Sequence, residues 1–480
     1  MTRPSQRYLF PFALLVLAAL SFLRYLPDLL AFPVVMFGDA GWPLAVDAML
    51  DDGLVPTRDF GYFYGLLALA IDRVWFVVAG RTPEAAVALM AVGSLGIAIG
   101  MLRWANAAGM DGRARLLLLA AVPVAIMPLP YPTAIHAIEA ALLVNALASQ
   151  ASGRYAAALA FATAAVFVKP GLGYVHGLIL VVLILRGYER PGWRGRLRAF
   201  VPAASLGVVL AAAFIAWWGA SPLVDTLFPT RAAENYRDER YGFFFGEGRG
   251  FWLPESIHPL FYLLSPAGFW LVATLLLTAA AVERWRRRDP QALALATCAI
   301  LHVAFVLFLF GNRWSWLYYS AILVCGVAAA LGSASRLNWF LAALAIAGQW
   351  GPYTVLRHSW QTLHRSEATA GLYATTADAE LWGRVRDLAH REKVMVFSKT
   401  GGAFVVFPEM DSSRVWFLLR STATKVEIDR VKGQLREATW LVLPYAGEQA
   451  LYPRWPEFSD ELDAFALTEG GDSFQLWQRR

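Results

Sequence analysis

Apolar residues in this chain are gathered into long blocks instead of being spread evenly. The blocks lie near 8–26, 84–102, 115–130, 135–150, 155–168, 172–186, 199–218, 262–282, 291–310, 317–332 and 337–352. A spanning helix needs about 20 mostly apolar residues to cross about 30 Å of hydrocarbon. The pattern predicts a polytopic membrane protein, so length does not translate into several soluble domains. A further block, 62–80, carries Asp72 and Arg73 in its middle. Burying that pair at bilayer depth is costly.

The positions of the arginines decide how 62–80 is placed. If it does not cross, several loops fall on the side of Arg3 and Arg7: those holding Arg103, Arg113 and Arg115, then Arg154, Arg186 to Arg198, Arg284 to Arg288, and Arg336. The positive-inside rule makes that side the cytoplasm. If it does cross, the ERWRRRD and RGYERPGWRGRLR loops land opposite Arg3 and Arg7. The first arrangement is the consistent one. It makes 62–80 an interfacial or re-entrant helix on the outer face. About eleven spans result, with the N-terminus in and the C-terminus out. The run from Tyr8 to Leu26 is long, and no small-x-small cleavage site follows it. It reads as an uncleaved first span rather than a signal peptide.

Three regions then face outward: 27–83, which includes the interfacial helix, 219–261, and the tail from Tyr353 to Arg480. Charges of both signs are frequent in the tail. KVMVFS and ATWLVLP read as short buried strands, and TADAELWGRVRDLAHRE as an amphipathic helix. The expected fold is therefore an all-α membrane domain over 1–352 with outer-face interfacial helices, plus a small extracytoplasmic α/β domain over 353–480. The expected location is a bacterial inner (cytoplasmic) membrane. No internal repeat is visible.

Composition agrees with this. The chain is 58% hydrophobic and 16% charged, against about 45–50% and about 25% in soluble proteins. Its mean hydropathy is +0.47. The net charge of +6 does not call for a nucleic acid, because the arginines sit in short loops where topology requires them. Cys298 and Cys325 each lie inside an apolar block. A disulfide is not expected, and no metal-ligand spacing exists.

The first outer loop, MFGDAGWPLAVDAMLDDGLVPTRDFGYFYGLL, is the most informative stretch. Asp39 follows the first span beside Gly38 and Gly41. A helix is expected next, with Pro43 at its start and Gly53 to end it. Arg58, Asp59 and the aromatic run with Tyr64 then lead into the interfacial block. A carboxylate at a membrane surface beside aromatics suits acid/base chemistry, although a helix cap is the plainer reading of Asp39. PYPTAIHAIEAALL places His136 and Glu139 at i and i+3 on one helix face. FVKPGLGY puts Lys169 at the outer end of a span, where a snorkelling lysine is the plainer reading. In the 219–261 loop, Arg231, Arg237, Arg240 and Arg249 alternate with aromatic residues. That composition suits a lipid phosphate and its prenyl chain, or an ordinary aromatic belt. Arg313 is a weaker outward cation. His390 and the glycine pair 401–402 carry no signal, since KTGGAF lacks the P-loop spacing.

The succession of a first span, an outer Asp, a short surface helix, G-x-x-P-x-R-D-F and a Gly-aromatic interfacial helix resembles the membrane GT-C glycosyltransferases. It is most similar to the branch of protein O-mannosyltransferases and lipid A aminoarabinose transferases. The resemblance covers roughly 8–190 in pattern. It implies transfer from a polyprenyl-phosphate sugar on the outer face to a glycan, lipid or protein acceptor. The family's catalytic acidic residue, often Asp-Glu, matches Asp39. Ala40 stands where the Glu would be, a departure that bears on any metal or second-carboxylate role. Glu139 matches an acidic residue at the start of a span, and Lys169 a recurrent K-P turn. The leaving phosphate needs charge stabilisation, and the acceptor hydroxyl needs a base. The implied base is Asp39, with Asp59 or Glu139 orienting the acceptor. Lys169, Arg58 and arginines of 231–249 would hold the phosphate, with His136 and Tyr64 lining the site. Inversion of the anomeric centre follows from single displacement. No cofactor is called for; a divalent metal is left open, although the sequence does not support a site for one. The tail reads as structural or accessory. A transporter or lipid flippase is the main alternative, although no paired halves are seen. An oligosaccharide polymerase or ligase is the second.

Overall fold

The structure is a computed structural model. It describes residues 4–126, 133–228, 266–286, 291–304, 322, 326–328, 362–398, 401–412, 423–444 and 456–480. The expected spans over 317–332 and 337–352 fall almost entirely outside these residues.

The first helix, α1, runs Pro4–Arg24, followed by the short helices α2 (Leu26–Leu29) and α3 (Phe32–Met36). A 3-10 turn, Asp39–Gly41, leads into α4 (Trp42–Asp51). The expected signals shape α4: Pro43 lies in its first turn, and Gly53 turns the chain away at φ +76°. Helix α5 (Leu66–Ala79) precedes α6 (Pro83–Ala107), α7 (Gly112–Ala125), α8 (Ala134–Ala151), α9 (Tyr155–Val168) and α10 (Leu172–Leu185). Then come α11 (Trp193–Trp218), α12 (Ala220–Leu227), α13 (Pro266–Arg286) and α14 (Gln291–Ala304). Among the described residues, α6, α8 and α11 are long and apolar enough to cross a membrane. Tyr8–Arg24, α9, α10 and α14 are shorter apolar helices. The fold is that of an integral membrane protein.

Helix α11 starts earlier than the apolar block at 199, because the preceding arginine-rich stretch is already helical. Arg196 there donates to the Leu185 carbonyl at 2.8 Å, supplying a partner that the end of α10 lacks internally. Helices α6 and α8 pack on a stripe of small residues. A Cβ on Gly93 would meet Ala137 Cβ at 2.7 Å, and one on Gly100 would meet Val144 Cγ1 at 2.7 Å. Glycine lets the two backbones approach, which is how helices associate where lipid removes the hydrophobic drive.

Helix α5 is 14 residues long, or about 21 Å. The Arg73 charge in its middle is answered by α4. Arg73 reaches Asp47 at 3.0 Å and Asp51 at 2.5 Å. Arg81 reaches Asp47 at 2.7 Å and also pairs with Asp51. Asp47 and Asp51 are one turn apart on α4, so a single face meets both arginines. Asp72 faces inward, and burial, then the nearby Asp47 charge, pushes its carboxyl up to about 8.

The C-terminal region holds a two-stranded sheet of β1 (His364–Arg365) and β2 (Tyr373–Ala374) and a five-stranded sheet. The latter uses β3 (Val394–Val396), β4 (Asp411–Ser412), β5 (Trp440–Pro444), β6 (Phe465–Gly470) and β7 (Phe474–Arg479) in the order β4-β3-β5-β7-β6. Strand β3 pairs in parallel with β4 and β5, and β7 pairs antiparallel with β5 and β6. Helices α15 (Thr376–Ala389), α16 (Gly402–Val406), α17 (Lys425–Glu437) and α18 (Pro456–Leu462) complete it. The two strands and the helix expected from KVMVFS, ATWLVLP and TADAELWGRVRDLAHRE are β3, β5 and α15. Helix α17 and the β6–β7 hairpin had no counterpart in the sequence reading.

This region is packed onto the first loop. Phe32 of α3 is fully buried, with its ring 4.8 Å from Trp382 and 5.8 Å from Phe474. The Tyr373 N–H donates to the Leu30 carbonyl at 3.0 Å. Gly41 and Gly402 are in backbone contact: a Cβ on Gly41 would meet Gly402 Cα at 2.7 Å.

Candidate functional site

Four of the residues singled out from the sequence come together where α8 begins and α9 ends. Lys169 follows the last residue of α9. Its Nζ lies 3.3 Å from His136 Nδ1 and 3.8 Å from Glu139 Oε2. His136 and Glu139 are one turn apart in the first two turns of α8, and both are buried. The Tyr64 ring completes the group, with Lys169 Nζ 5.7 Å from its centroid and the His136 ring edge-on at 5.8 Å. A cation at this distance from an aromatic face is attracted by the ring quadrupole. The arrangement is thus an ammonium held by a carboxylate, an imidazole and an aromatic ring. The Glu139 carboxylate offsets part of the cost of burying the lysine charge. The Lys169 side chain keeps 13% of its surface exposed.

The backbone explains how Tyr64 arrives there. The Gly65 N–H donates to the carbonyl of Val168, next to Lys169, at 3.0 Å. A Cβ on Gly65 would meet the Phe167 oxygen at 2.0 Å, so only glycine permits this approach. Trp42, which the sequence reading passed over, packs on Tyr64 with ring centroids 5.9 Å apart. Asp39 is half-buried in the 3-10 turn three residues before Trp42.

Arg58 and Asp59 are engaged with each other. Arg58 Nε and Nη2 donate to the two Asp59 oxygens at 3.0 and 2.7 Å. The Val55 N–H donates to Asp59 Oδ2 at 2.8 Å, so the carboxylate closes a tight turn. Hydrogen bonding to Arg58 holds Asp59 below the usual carboxylate range, and the Val55 N–H adds to this. Thr57 in the same turn has φ +66°. Arg231, Arg237, Arg240, Arg249 and Arg313 lie outside the described residues. Among the described residues, no group of three or more His, Cys, Asp or Glu side chains is placed to hold a metal ion.

Two further residues carry this geometry without having been singled out as site residues. Gly402, in the glycine pair without a motif, forms the backbone contact with Gly41. Glu427 accepts a hydrogen bond from the Gly61 N–H at 2.8 Å. Thr424-x-x-Glu427 was a readable signal for a helix start, and both halves of that capping box are formed.

No protein-family model matches the chain, and no curated protein matches it. Its fold is similar to that of solved structures of ArnT from Cupriavidus metallidurans. The crystal structure of ArnT bound to undecaprenyl phosphate is 14% identical, covers 99% of this chain and 98% of its own, and gives a TM-score of 0.52. The ArnT structure in the apo state is 14% identical, covers 96% of this chain and 97% of its own, and gives 0.50. The resemblance to the aminoarabinose transferase branch thus holds at the level of fold, over almost the whole chain.

Proposed function

We propose that the chain is a membrane glycosyltransferase that moves a sugar from a polyprenyl-phosphate donor to an extracytoplasmic acceptor. The observation that carries this is the Lys169 cluster. A cation sits against Glu139, His136 and Tyr64, in a fold shared with a protein whose crystal structure is bound to undecaprenyl phosphate. A lipid phosphate is an anion at a membrane surface, and a partly dehydrated lysine is suited to meet it.

In the proposed reaction, the acceptor hydroxyl oxygen attacks the anomeric carbon as the bond to the phosphate oxygen breaks. The phosphate leaves with the bonding electron pair, and Lys169 stabilises its growing charge. The hydroxyl proton passes to a carboxylate, for which Asp39 is the candidate base. One displacement inverts the anomeric centre. Glu139 keeps Lys169 in place, while Arg58 and Asp59 shape the loop. The sugar is left open, and so is the acceptor: a glycan, a lipid or a protein.

The reading includes about eleven spans, a cytoplasmic N-terminus, a site facing outward and a bacterial inner membrane. It also divides the chain into a membrane domain, 1–352, and an accessory domain, 353–480. The ion pairs of Arg73 in α5 to Asp47 and Asp51 of α4 support the assignment of α5 as a surface helix, since charged side chains at bilayer depth are costly.

The test is sugar transfer in vesicles holding donor and acceptor extracts. Asp39→Asn is expected to lower turnover by about 100-fold or more, with insertion and donor binding retained. Near-normal turnover of inserted protein sinks the assignment of Asp39. Substrate-driven flux without transfer would instead identify a transporter.

A further inference from the structure

We infer that Glu427, in the C-terminal region, is a positioning residue that holds Tyr64 against Lys169 by clasping the backbone of Gly61. The inference rests on the proposed reading of the Lys169 cluster as a lipid-phosphate site.

The segment Gly61–Gly65 links the Val55–Phe60 turn to α5 and belongs to no helix or strand. Backbone in such a segment needs partners from elsewhere. It finds them at its two ends. The Gly65 N–H donates to the Val168 carbonyl at 3.0 Å, and the Gly61 N–H donates to Glu427 Oε2 at 2.8 Å. Between the two attachments lie Tyr62, Phe63 and Tyr64, all buried. The first attachment sets the height of Tyr64 relative to Lys169, because Val168 and Lys169 are neighbours. The second fixes the other end, and it comes from 366 residues away.

Glu427 is a rigid acceptor. It is 1% exposed and lies in the first turn of α17. Its Oε2 also accepts from the Thr424 N–H at 2.9 Å, within the capping box. Local capping therefore orients the carboxylate, and the Gly61 bond uses that orientation. The Thr424 hydroxyl reaches the Asp59 carbonyl at 3.5 Å, so the start of α17 meets the loop at two successive points. A capping function alone requires nothing of Gly61.

The experiment uses the full chain in detergent with two readouts. One is amide hydrogen exchange over residues 60–66; the other is the Kd for undecaprenyl phosphate, read by intrinsic fluorescence. Glu427→Ala is expected to speed exchange of the Gly61–Gly65 amides by about ten-fold or more. It is also expected to raise the Kd by about five- to ten-fold. Glu427→Gln keeps an acceptor oxygen, so both readouts are expected within about two-fold of wild type. Thr424→Ala removes the hydroxyl contacts to Glu427 Oε2 and the Asp59 carbonyl but keeps the Thr424 N–H that orients the carboxylate, and is expected to speed exchange at 61–65 much less than Glu427→Ala. Unchanged exchange and Kd in Glu427→Ala overturn the inference, as does an equal effect from Thr424→Ala. If Glu427→Ala does not fold, Glu427→Asp withdraws the carboxylate by one methylene. Faster exchange at 61–65 then supports the clasp, and wild-type exchange overturns it. Wild-type protein that binds no undecaprenyl phosphate sinks the proposed function alone, and the exchange arm still decides the clasp.

Discussion

Replacing Asp72 with Asn tests how α5 tolerates a carboxyl on its buried face. Asp72 is 6% exposed and lies near Asp47 and Tyr62. Burial, then the Asp47 charge, raises its pKa from 3.8 to about 8. Between those values the folded protein keeps a proton that the unfolded chain has released. Stability therefore falls as pH rises through the window, because the native state binds more protons. By pH 7 the gap is about three pH units, and at about 1.4 kcal/mol per unit the loss is about 4 kcal/mol. Relaxation and water entry reduce this to about 2–4 kcal/mol. Asp72→Asn keeps the shape and removes the ionisation. The assay is thermal unfolding of detergent-solubilised protein from pH 5 to 8. The wild-type midpoint is expected to fall with pH more steeply than that of the variant. The two should lie closest at pH 5 and furthest apart at pH 8, with the variant higher. Parallel curves would refute the reasoning, because they would mean that Asp72 titrates alike in both states.

Other substitutions probe the remaining contacts. Lys169→Met keeps the bulk and removes the cation, so the Kd for undecaprenyl phosphate is expected to rise by about ten-fold or more; equal binding would release Lys169 from the site. Gly402→Ala drives a Cβ to 2.0 Å from the Val35 carbonyl oxygen, and monodisperse protein on size exclusion should largely disappear; a wild-type yield would show that the two backbones can separate. Phe32→Ala empties a pocket lined by Trp382 and Phe474, at a cost of about 3–5 kcal/mol. Protease cleavage of the C-terminal region should accelerate accordingly, and unchanged cleavage would mean that other contacts hold it.

The helices were legible because each block of apolar residues is a physical requirement of the bilayer. Helix α9 ends where its block ends, while α11 begins before its block because Arg196 caps α10 from inside a helical turn. The strands β3 and β5 were legible as runs buried on both sides. Strand β6 was not, since four of the six residues of FALTEG are exposed. Its hairpin depends on Asp378, which accepts from the Asp472 and Ser473 N–H groups at 2.8 and 2.9 Å. Residue type and placement at span ends were enough to single out His136, Glu139 and Lys169. Nothing in a linear pattern shows that Arg58 folds back on Asp59, because neighbours meet only in a turn like that at Thr57. The meeting of Gly41 with Gly402, and of Gly61 with Glu427, is set by tertiary packing alone.

The Gly61–Glu427 bond also has a consequence for biosynthesis. Its two ends leave the ribosome 366 residues apart. At about 5–20 residues per second, the first loop waits about 20–70 s for its partner. During that interval the aromatic run is in place with only one of its backbone attachments available, and any chaperone or protease present meets it first. A chain stopped short of α17 would include every described helix from α1 to α16 and still display this run. Emergence of α17, Lys425–Glu437, is thus what allows the loop to close.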